Sequence, residues 1–416
     1  MSLRREIALG LERTVYVIAA LPIALHGHPV EDNSSAAVLR RAFAHSYWHP
    51  RSTREAAELV LGLLCVPIAV PLAALWYTAR NGTVISRREG KGPARQFFEQ
   101  LRLYGSAGIF GPWYYILGLY RDGSRRAPTY LQRCETKRGI YALLKDHAAL
   151  SPLGHKQKFA DICSAAGLRC APCAMVIGDG ETEPAKLPDT DLFVKPLRGC
   201  GGKGARRFDR IGPRTWSDGG SPMADRELIT ALQASGEPMI VQELVRPHPA
   251  LAPLTAGALP TVRALTCLDE LGRPEVVATV FRMSLGGNRT VDNIHAGGLA
   301  CAVSLDEGIL GLASDLGVDA RLGWHATHPT TGAEIEGARL PYWSEVKALA
   351  VKAHELFPDR PIIGWDIAIT PDGPLLIEGN RGPDMDLMQR FMEQGFCSDH
   401  RLAELLAHHL RARGYS

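Results

Sequence analysis

The 416-residue chain carries no charge excess: 47 basic against 44 acidic side chains leave a formal net charge of +3. Such a balance gives no general case for nucleic-acid binding, which needs a basic face to meet a phosphate backbone. A disulfide framework is also missing. Nine cysteines are odd in number and scattered, which fits a reducing compartment better than a secreted scaffold. The one close pair, Cys170 and Cys173 in "CAPC", has redox-motif spacing, but no second pair completes a zinc site. The two read as buried or incidental thiols. Fixed-period repeats, low-complexity tracts and an evident Ser/His/Asp or Cys/His nucleophile set are absent too. The length leaves room for two or three domains, each with its own core.

What the chain does have is one long uncharged run, "LVLGLLCVPIAVPLAALWYTA" from Leu59 to Ala79, about the length that crosses a bilayer as a helix. Pro67 and Pro71 would kink it, which membrane helices tolerate. Trp76 and Tyr77 sit at one end, as interfacial aromatics do, and Arg80, Arg87, Arg88, Lys91 and Arg95 follow. By the positive-inside rule everything after Arg80 is cytosolic. The preceding segment is Arg-bearing as well, so a re-entrant or in-plane anchor stays open, as does a plain buried helix. A second uncharged stretch, Leu103 to Tyr120, is broken by glycine and reads as an interfacial or core segment. An early apolar run, Thr14 to Leu25, is short and lacks a cleavage site, so a signal peptide is set aside.

Near the C-terminus "WDIAITPDGPLLIEGN", Trp365 to Asn380, predicts a β-hairpin: two Ile/Leu-rich runs joined by turn residues. A three-residue loop of Pro371, Asp372 and Gly373 pairs Thr370 with Pro374, and counting outward sets Asp366 opposite Glu378. Like charges facing each other need a compensating cation. Asn380 shares the face of Glu378 by the strand period. Two carboxylates and an amide oxygen suit Mg²⁺ held together with substrate phosphates. A solvated edge hairpin with incidental acids is the plainer alternative, so the cation needs a phosphate nearby.

"DLFVKPLRGCGGKGARRF", Asp191 to Phe208, supplies a phosphate site. Its Gly199, Gly201 and Gly204 form a G-x-G-x-x-G, but no helix follows at once, which excludes a Rossmann fingerprint, and Lys203 is not followed by Ser or Thr, which excludes a P-loop. A strand, a glycine loop and a second strand remain, a device that covers nucleotide phosphates with backbone N–H groups. Lys195 on the entering strand is a fixed charge and Lys203 a mobile one. "PMIVQELV" ends in a strand terminus at Gln242 and Glu243 that can meet an adenine edge. Arg263 and Arg282 lie inside apolar strands, where at least one must meet an anion. "VDNIHAGG" follows with Asp292 and Asn293.

In this order the motifs resemble an ATP-grasp enzyme, and more narrowly the sugar-transfer-associated ATP-grasp group and related glutamate-ligase-like proteins. The likeness covers about Ser106 to the C-terminus and sharpens from Lys156 in "HKQKF". It implies an α+β ATP-grasp fold, two subdomains sandwiching ATP, after a mostly helical, membrane-associated N-terminal region. The expected divisions are 1–105, helical with the candidate segment 59–79; 106–155, a helical lead-in; 156–245, lid and nucleotide subdomain; and 246–416, metal and substrate subdomain. Carried over by motif, ATP falls on Lys156, Lys195, the lid Gly199, Gly201, Gly202, Lys203 and Gly204, the hinge Gln242, Glu243, Leu244 and Val245, and His248 as a ribose contact. Mg²⁺ or Mn²⁺ falls on Asp366, Glu378 and Asn380. Arg282, Lys195 and Asn293 take the catalytic roles, and His295 is a candidate proton relay. Two positions depart from the family pattern: Pro260 stands where Asn is usual, and His155 where Asp often precedes the upstream Lys.

The resemblance implies an ADP-forming carboxylate–amine or carboxylate–thiol ligase acting through an acyl phosphate, in cell-surface polysaccharide or peptide modification. Its rivals are a small-molecule kinase on the same fold and a non-catalytic nucleotide-binding accessory protein of a membrane glycan assembly. Expected partners are small or glycan-linked carboxylates and amines, with a membrane or membrane protein met through residues 59–120, and no nucleic acid. The expected location is the cytoplasmic face of the inner membrane of a bacterium, with a soluble cytoplasmic protein as the alternative.

Overall fold

Apolar residues at helical spacing make the N-terminal third helical: α1 (Leu3–His26), α2 (Ser35–Trp48), α3 (Thr53–Glu89), α4 (Pro93–Ala107), α5 (Gly111–Ile116) and α6 (Leu119–Arg126). The computed structural model describes residues 3–26, 34–145, 151–178, 186–199, 202–286, 290, 292, 294–319, 323–397 and 399–415. Ser34 and Ser52 cap α2 and α3, each hydroxyl accepting the amide N–H three residues on, at 3.3 and 3.2 Å; such caps satisfy donors that a helix start leaves orphaned. α3 runs unbroken through Pro67 and Pro71 and stops at Gly90, whose φ of +69° suits a residue without Cβ. The Thr14–Leu25 run is part of α1 and buries Val17, Ile18, Ala20 and Ile23. A π-helical turn, Glu135–Ile140, leads into the short α7 (Tyr141–Leu143), and α8 (Lys156–Ala165) follows.

Two antiparallel sheets come next. The smaller holds β1 (Met175–Ile177), β2 (Leu192–Pro196), β3 (Arg206–Gly212), β4 (Thr215–Ser217), β5 (Met223–Ala224) and, after α9 (Asp225–Gln233), β6 (Met239–Glu243), in the order β1-β6-β2-β3-β4-β5. The larger holds β7 (Thr261–Leu268), β8 (Pro274–Met283), β9 (Leu299–Val303), β10 (Leu310–Ser314), β11 (Trp324–His325) and, after α10 (Trp343–Glu355), β12 (Ile362–Thr370) and β13 (Gly373–Asn380), in the order β11-β10-β9-β8-β7-β12-β13. α11 (Met385–Met392) and α12 (Arg401–Arg411) close the chain.

Strand alternation gives the larger sheet two apolar faces. Val262, Ala264, Phe281, Ile363, Trp365 and Ile367 pack with α8 and α10 on one side. Leu265, Cys267, Ala278 and Val280 pack on the other with Leu39 of α2, Ile85 of α3, Leu103 of α4 and the α11–α12 residues Met388, Leu402 and Leu406. The N-terminal helices therefore share a core with the larger sheet rather than building one alone. α8, placed by sequence at the start of the lid subdomain, sets Phe159 against Trp365 at 6.3 Å between rings, so it packs on the larger sheet. Trp365 is fully buried, its indole N–H donating to Thr266 Oγ1 at 2.8 Å. Ile109, Tyr114, Tyr115 and Leu119 are also fully buried, which makes 103–120 core and removes most of it from the surface expected to meet a partner.

The β12–β13 hairpin reaches the expected pairing by another route. Thr370 pairs with Gly373, not Pro374, so the loop has two residues and the register starts one step off. A bulge between Asp366 and Ile367 restores the step and sets Asp366 opposite Glu378. A bulge places two residues against one, and here it turns both Ile377 and Glu378 to the cavity described next.

Candidate nucleotide and metal cleft

Between the two sheets lies a cavity of about 1300 Å³, above the usual range for one small ligand. Ten cationic and five anionic side chains line it, counted over the described residues. A cleft with that imbalance favours a polyanion.

The smaller sheet forms its roof. β2 and β3 are antiparallel neighbours, so the described residues 197–199 and 202–205 lie in the connection between two paired strands, where the sequence expects a lid. Gly204 takes φ +74°, and a Cβ there would lie 3.0 Å from Pro196 Cγ, so the loop closes on its own strand only with glycine. Lys195 on β2 is 7% exposed and faces the cavity. Burial pushes its ammonium down to about 8, with the carboxylate of Glu378 pulling the other way and Lys156 reinforcing the drop. Lys156, at the start of α8, donates to Gly199 O at 3.0 Å. His155 caps α8, its Nδ1 accepting from Lys158 N at 3.3 Å; the ring does what a carboxylate cap would do, which accounts for the departure from Asp at this position. At the hinge Gln242, Leu244 and Val245 line the cavity. The Gln242 side chain donates to Ala171 O at 3.0 Å and braces the "CAPC" segment. Cys170 and Cys173 are free thiols, with Cys170 Sγ 3.1 Å from Ser164 Oγ.

The floor belongs to the larger sheet. Asp366 is paired in register with Arg263 on β7 and Glu378 on β13. The Arg263 guanidinium grips both Asp366 oxygens, from Nε to Oδ1 and from Nη2 to Oδ2 at 3.1 Å. Arg282 Nη2 reaches Asp366 Oδ2 at 3.1 Å, and its Nε lies 3.4 Å from Asp292 Oδ2. Burial would raise the Asp366 carboxyl, but Arg263 and Arg282 together hold it well below the usual carboxylate range. Burial dominates at Asp292 and pushes its carboxyl up. Asn380 Nδ2 lies 3.4 Å from Glu378 Oε1, which leaves the amide oxygen as a donor atom. Three oxygen donors from two carboxylates and an amide suit a hard cation. An ionised carboxylate has about four lone-pair sites, so Asp366 keeps acceptor capacity beside its arginines. No cluster of three His, Cys, Asp or Glu fit for a metal occurs among the described residues; such a floor holds Mg²⁺ only with phosphate oxygens completing the shell.

Several predicted site residues fall elsewhere. The Glu243 side chain is exposed and lies outside this cavity, because alternation along β6 turns it opposite to Gln242. His248 also lies outside: its Nδ1 accepts from Ala250 N at 3.2 Å and its ring meets Tyr342 edge-on. Gly201 and Asn293 lie outside the described residues. The far end of the cavity was missed from sequence. There Asp384 is ion-paired with Arg133 at 3.0 Å and Lys137 at 2.8 Å, and His295 Nε2 lies 3.8 Å from its Oδ2. Burial would raise the Asp384 carboxyl, yet His295, Lys137 and Arg133 hold it below the usual range. The signal was the cations of "RCETK" and the acids of "GPDMD", about 250 residues apart and joined only by folding.

A lid over lysines facing a carboxylate floor between two antiparallel sheets is the ATP-grasp arrangement. The family model described as sugar-transfer associated ATP-grasp matches residues 137–403, and the chain belongs to that family. Membership supports ATP binding and ligase chemistry in general. No curated protein sequence matches the chain. Among solved structures, the D-alanine–D-alanine ligase of Coxiella burnetii aligns at 9% identity and TM-score 0.34, over 64% of this chain and 60% of its own. The ligase of Bacillus anthracis complexed with ATP aligns at 12% and 0.37, over 63% and 67%. The L-amino acid ligase of Bacillus licheniformis aligns at 14% and 0.31, over 61% and 48%. Likenesses this loose carry no weight for substrate.

Proposed function

We propose that the protein is an ADP-forming ligase that activates a substrate carboxylate with ATP and joins it to an amine or thiol. The observation that carries this reading is the convergence on one cavity of Lys156, Lys195 and the glycine lid with the Asp366, Glu378 and Asn380 floor. A carboxylate oxygen of the substrate attacks the γ-phosphorus, the bond to the β–γ bridging oxygen breaks, and ADP leaves an acyl phosphate behind. The nucleophile then attacks the acyl carbon, the bond to phosphate breaks, and the nucleophile loses a proton as phosphate departs. Lys156 and Lys195 hold the phosphates as fixed cations. Arg282 neutralises charge on the transferring group, and Arg263 positions Asp366. The lid keeps water from the acyl phosphate, which would otherwise hydrolyse. Mg²⁺ on the three oxygen donors, when bound, neutralises phosphate charge.

Glycan-linked or small carboxylates and amines of cell-surface polymer synthesis are the substrate class we favour, with the protein on the cytoplasmic face of a membrane. The family description and the apolar outer face of α3 support that placement. The test is a screen for ADP release with pooled amino acids, amines and sugar acids, followed by mass spectrometry. Release of ADP and free phosphate with a product heavier than the carboxylate by the nucleophile less water is expected. A stable phosphorylated product without free phosphate would establish a kinase instead, and no turnover with any pool would leave an accessory protein.

A further inference from the structure

We propose that the protein sits on an anionic bilayer with α3 lying in the membrane plane rather than crossing it. The inference rests on the membrane placement above and narrows it to one geometry.

α3 is inside out for a helix on a water-soluble surface. Val60, Leu61, Leu64, Ile68, Leu72, Leu75 and Trp76 are each more than half exposed, and only 17% of its most apolar 18-residue window is buried. Of the seven buried residues on the face turned to the protein, Gly62, Ala74, Thr78, Asn81 and Gly82 are small or polar, and Val70 and Ile85 are the two large apolar ones. A Cβ on Gly62 would lie 2.3 Å from Val17 Cγ1, so α1 and α3 touch backbone to side chain with no space between. Small residues at helix contacts and large apolar ones outward are the arrangement of a lipid-facing helix, the reverse of a surface helix in water. Away from the N-terminal helices, the exposed large apolar side chains Ile211 on β3, Leu271 in the β7–β8 turn and Leu312 on β10 are scattered, which is ordinary for a soluble surface.

Three observations set the orientation. α4 lies beside the second half of α3, with Gln100 Nε2 donating to Thr78 Oγ1 at 2.7 Å and Gln96 Nε2 to Gly82 O at 3.0 Å. Exposed Arg102, two residues beyond Gln100, stands by the same spacing beside Trp76, near the C-terminal end of the apolar run, whereas Val70 near its middle shares a core with Phe43 of α2 and Cys134, the neighbour of the cleft residue Arg133, so a crossing α3 would carry that part of the body to hydrocarbon depth. The end of α3 is also fastened to the catalytic body: Asn81 Nδ2 donates to Val318 O at 3.1 Å and Arg88 Nη2 to the Tyr120 hydroxyl at 2.8 Å. Finally, exposed cations bracket the stripe, Arg51 and Arg54 before it and Arg80 and Arg87 after it. Cations at both ends and an aromatic near one end place the whole stripe at headgroup level, as in an in-plane amphipathic helix on anionic lipid.

The test uses full-length protein in inside-out membrane vesicles from expressing cells, carrying Ala57→Cys or Thr83→Cys, and a membrane-impermeant maleimide read against the wild-type background. Both positions are expected to label without permeabilisation. Purified protein is expected to bind phosphatidylcholine vesicles only when phosphatidylglycerol is included. Leu64→Glu, Ile68→Glu and Leu72→Glu together should weaken that binding at least about tenfold while the ATP-induced thermal shift is retained. Protection of one cysteine alone would show a crossing helix, overturning the in-plane seat and leaving the membrane placement intact. Soluble wild-type protein that ignores both vesicle types would overturn both, and a dimer split by the triple variant would show that a second copy covers the stripe.

Discussion

Lys195 keeps its charge at a cost. With burial holding its ammonium near about 8 against an ordinary 10.5, the unfolded chain binds a proton between those pH values that the folded chain does not. Stability therefore rises with pH across that window, and below it the full cost of about 3 kcal/mol is felt. Thermal melts of the nucleotide-free protein should show this climb, and Lys195→Met should flatten it, raise the melting point at neutral pH and remove ATP binding. Asp366 and Glu378 separate in a similar way. Asp366→Asn strips the compensation from two largely buried arginines and should cost about 3–5 kcal/mol in urea unfolding. Glu378→Gln should leave the unfolding midpoint nearly unchanged while lowering ATP-dependent turnover by about 10²-fold or more.

β13 shows what local sequence discloses and what it withholds. "TPDG" announced a hairpin, and the strand period put Glu378 and Asn380 on one face, because both depend on neighbours a few residues away. The loop length came out one too long, and the bulge that compensates has no signature in Ile and Leu alone. The paired strands flanking Gly199 and Gly204 and the strand carrying Gln242 were legible for the same local reason. The grip of Arg263 on Asp366 depends on β7 pairing with β12 about a hundred residues later, and sequence could say only that one of two strand arginines meets an anion. Gly379 is where β13 tolerates least: a Cβ there would lie 2.6 Å from Leu153 Cδ2 and 2.8 Å from Trp365 Cζ3. Gly379→Ala should destabilise by about 1–3 kcal/mol and, by moving Glu378 and Asn380, lower turnover more than Ala substitution at exposed Gly332, which calorimetry and ADP release would show.

The molecule does not divide where composition changes. The helices before residue 105 read as a separate membrane region, yet α2 packs against α12 and Leu39, Ile85 and Leu103 share a core with Leu265 and Leu406. A chain beginning at residue 106 should therefore fail to give a cooperative melt, whereas autonomous domains would each retain one. Long-range packing of this kind leaves no periodic trace in either partner, which is why the boundary was not legible. The two arginines on Asp366 also bear on how the whole fold answers to chelation. Because they already balance the carboxylate that nucleotide-bound Mg²⁺ would otherwise have to neutralise, the cleft is its own counter-ion. Protein treated with EDTA should melt at the temperature of protein given Mg²⁺ alone, and the two should part only when ATP is added, which is the outcome that the proposed entry of Mg²⁺ together with the nucleotide requires.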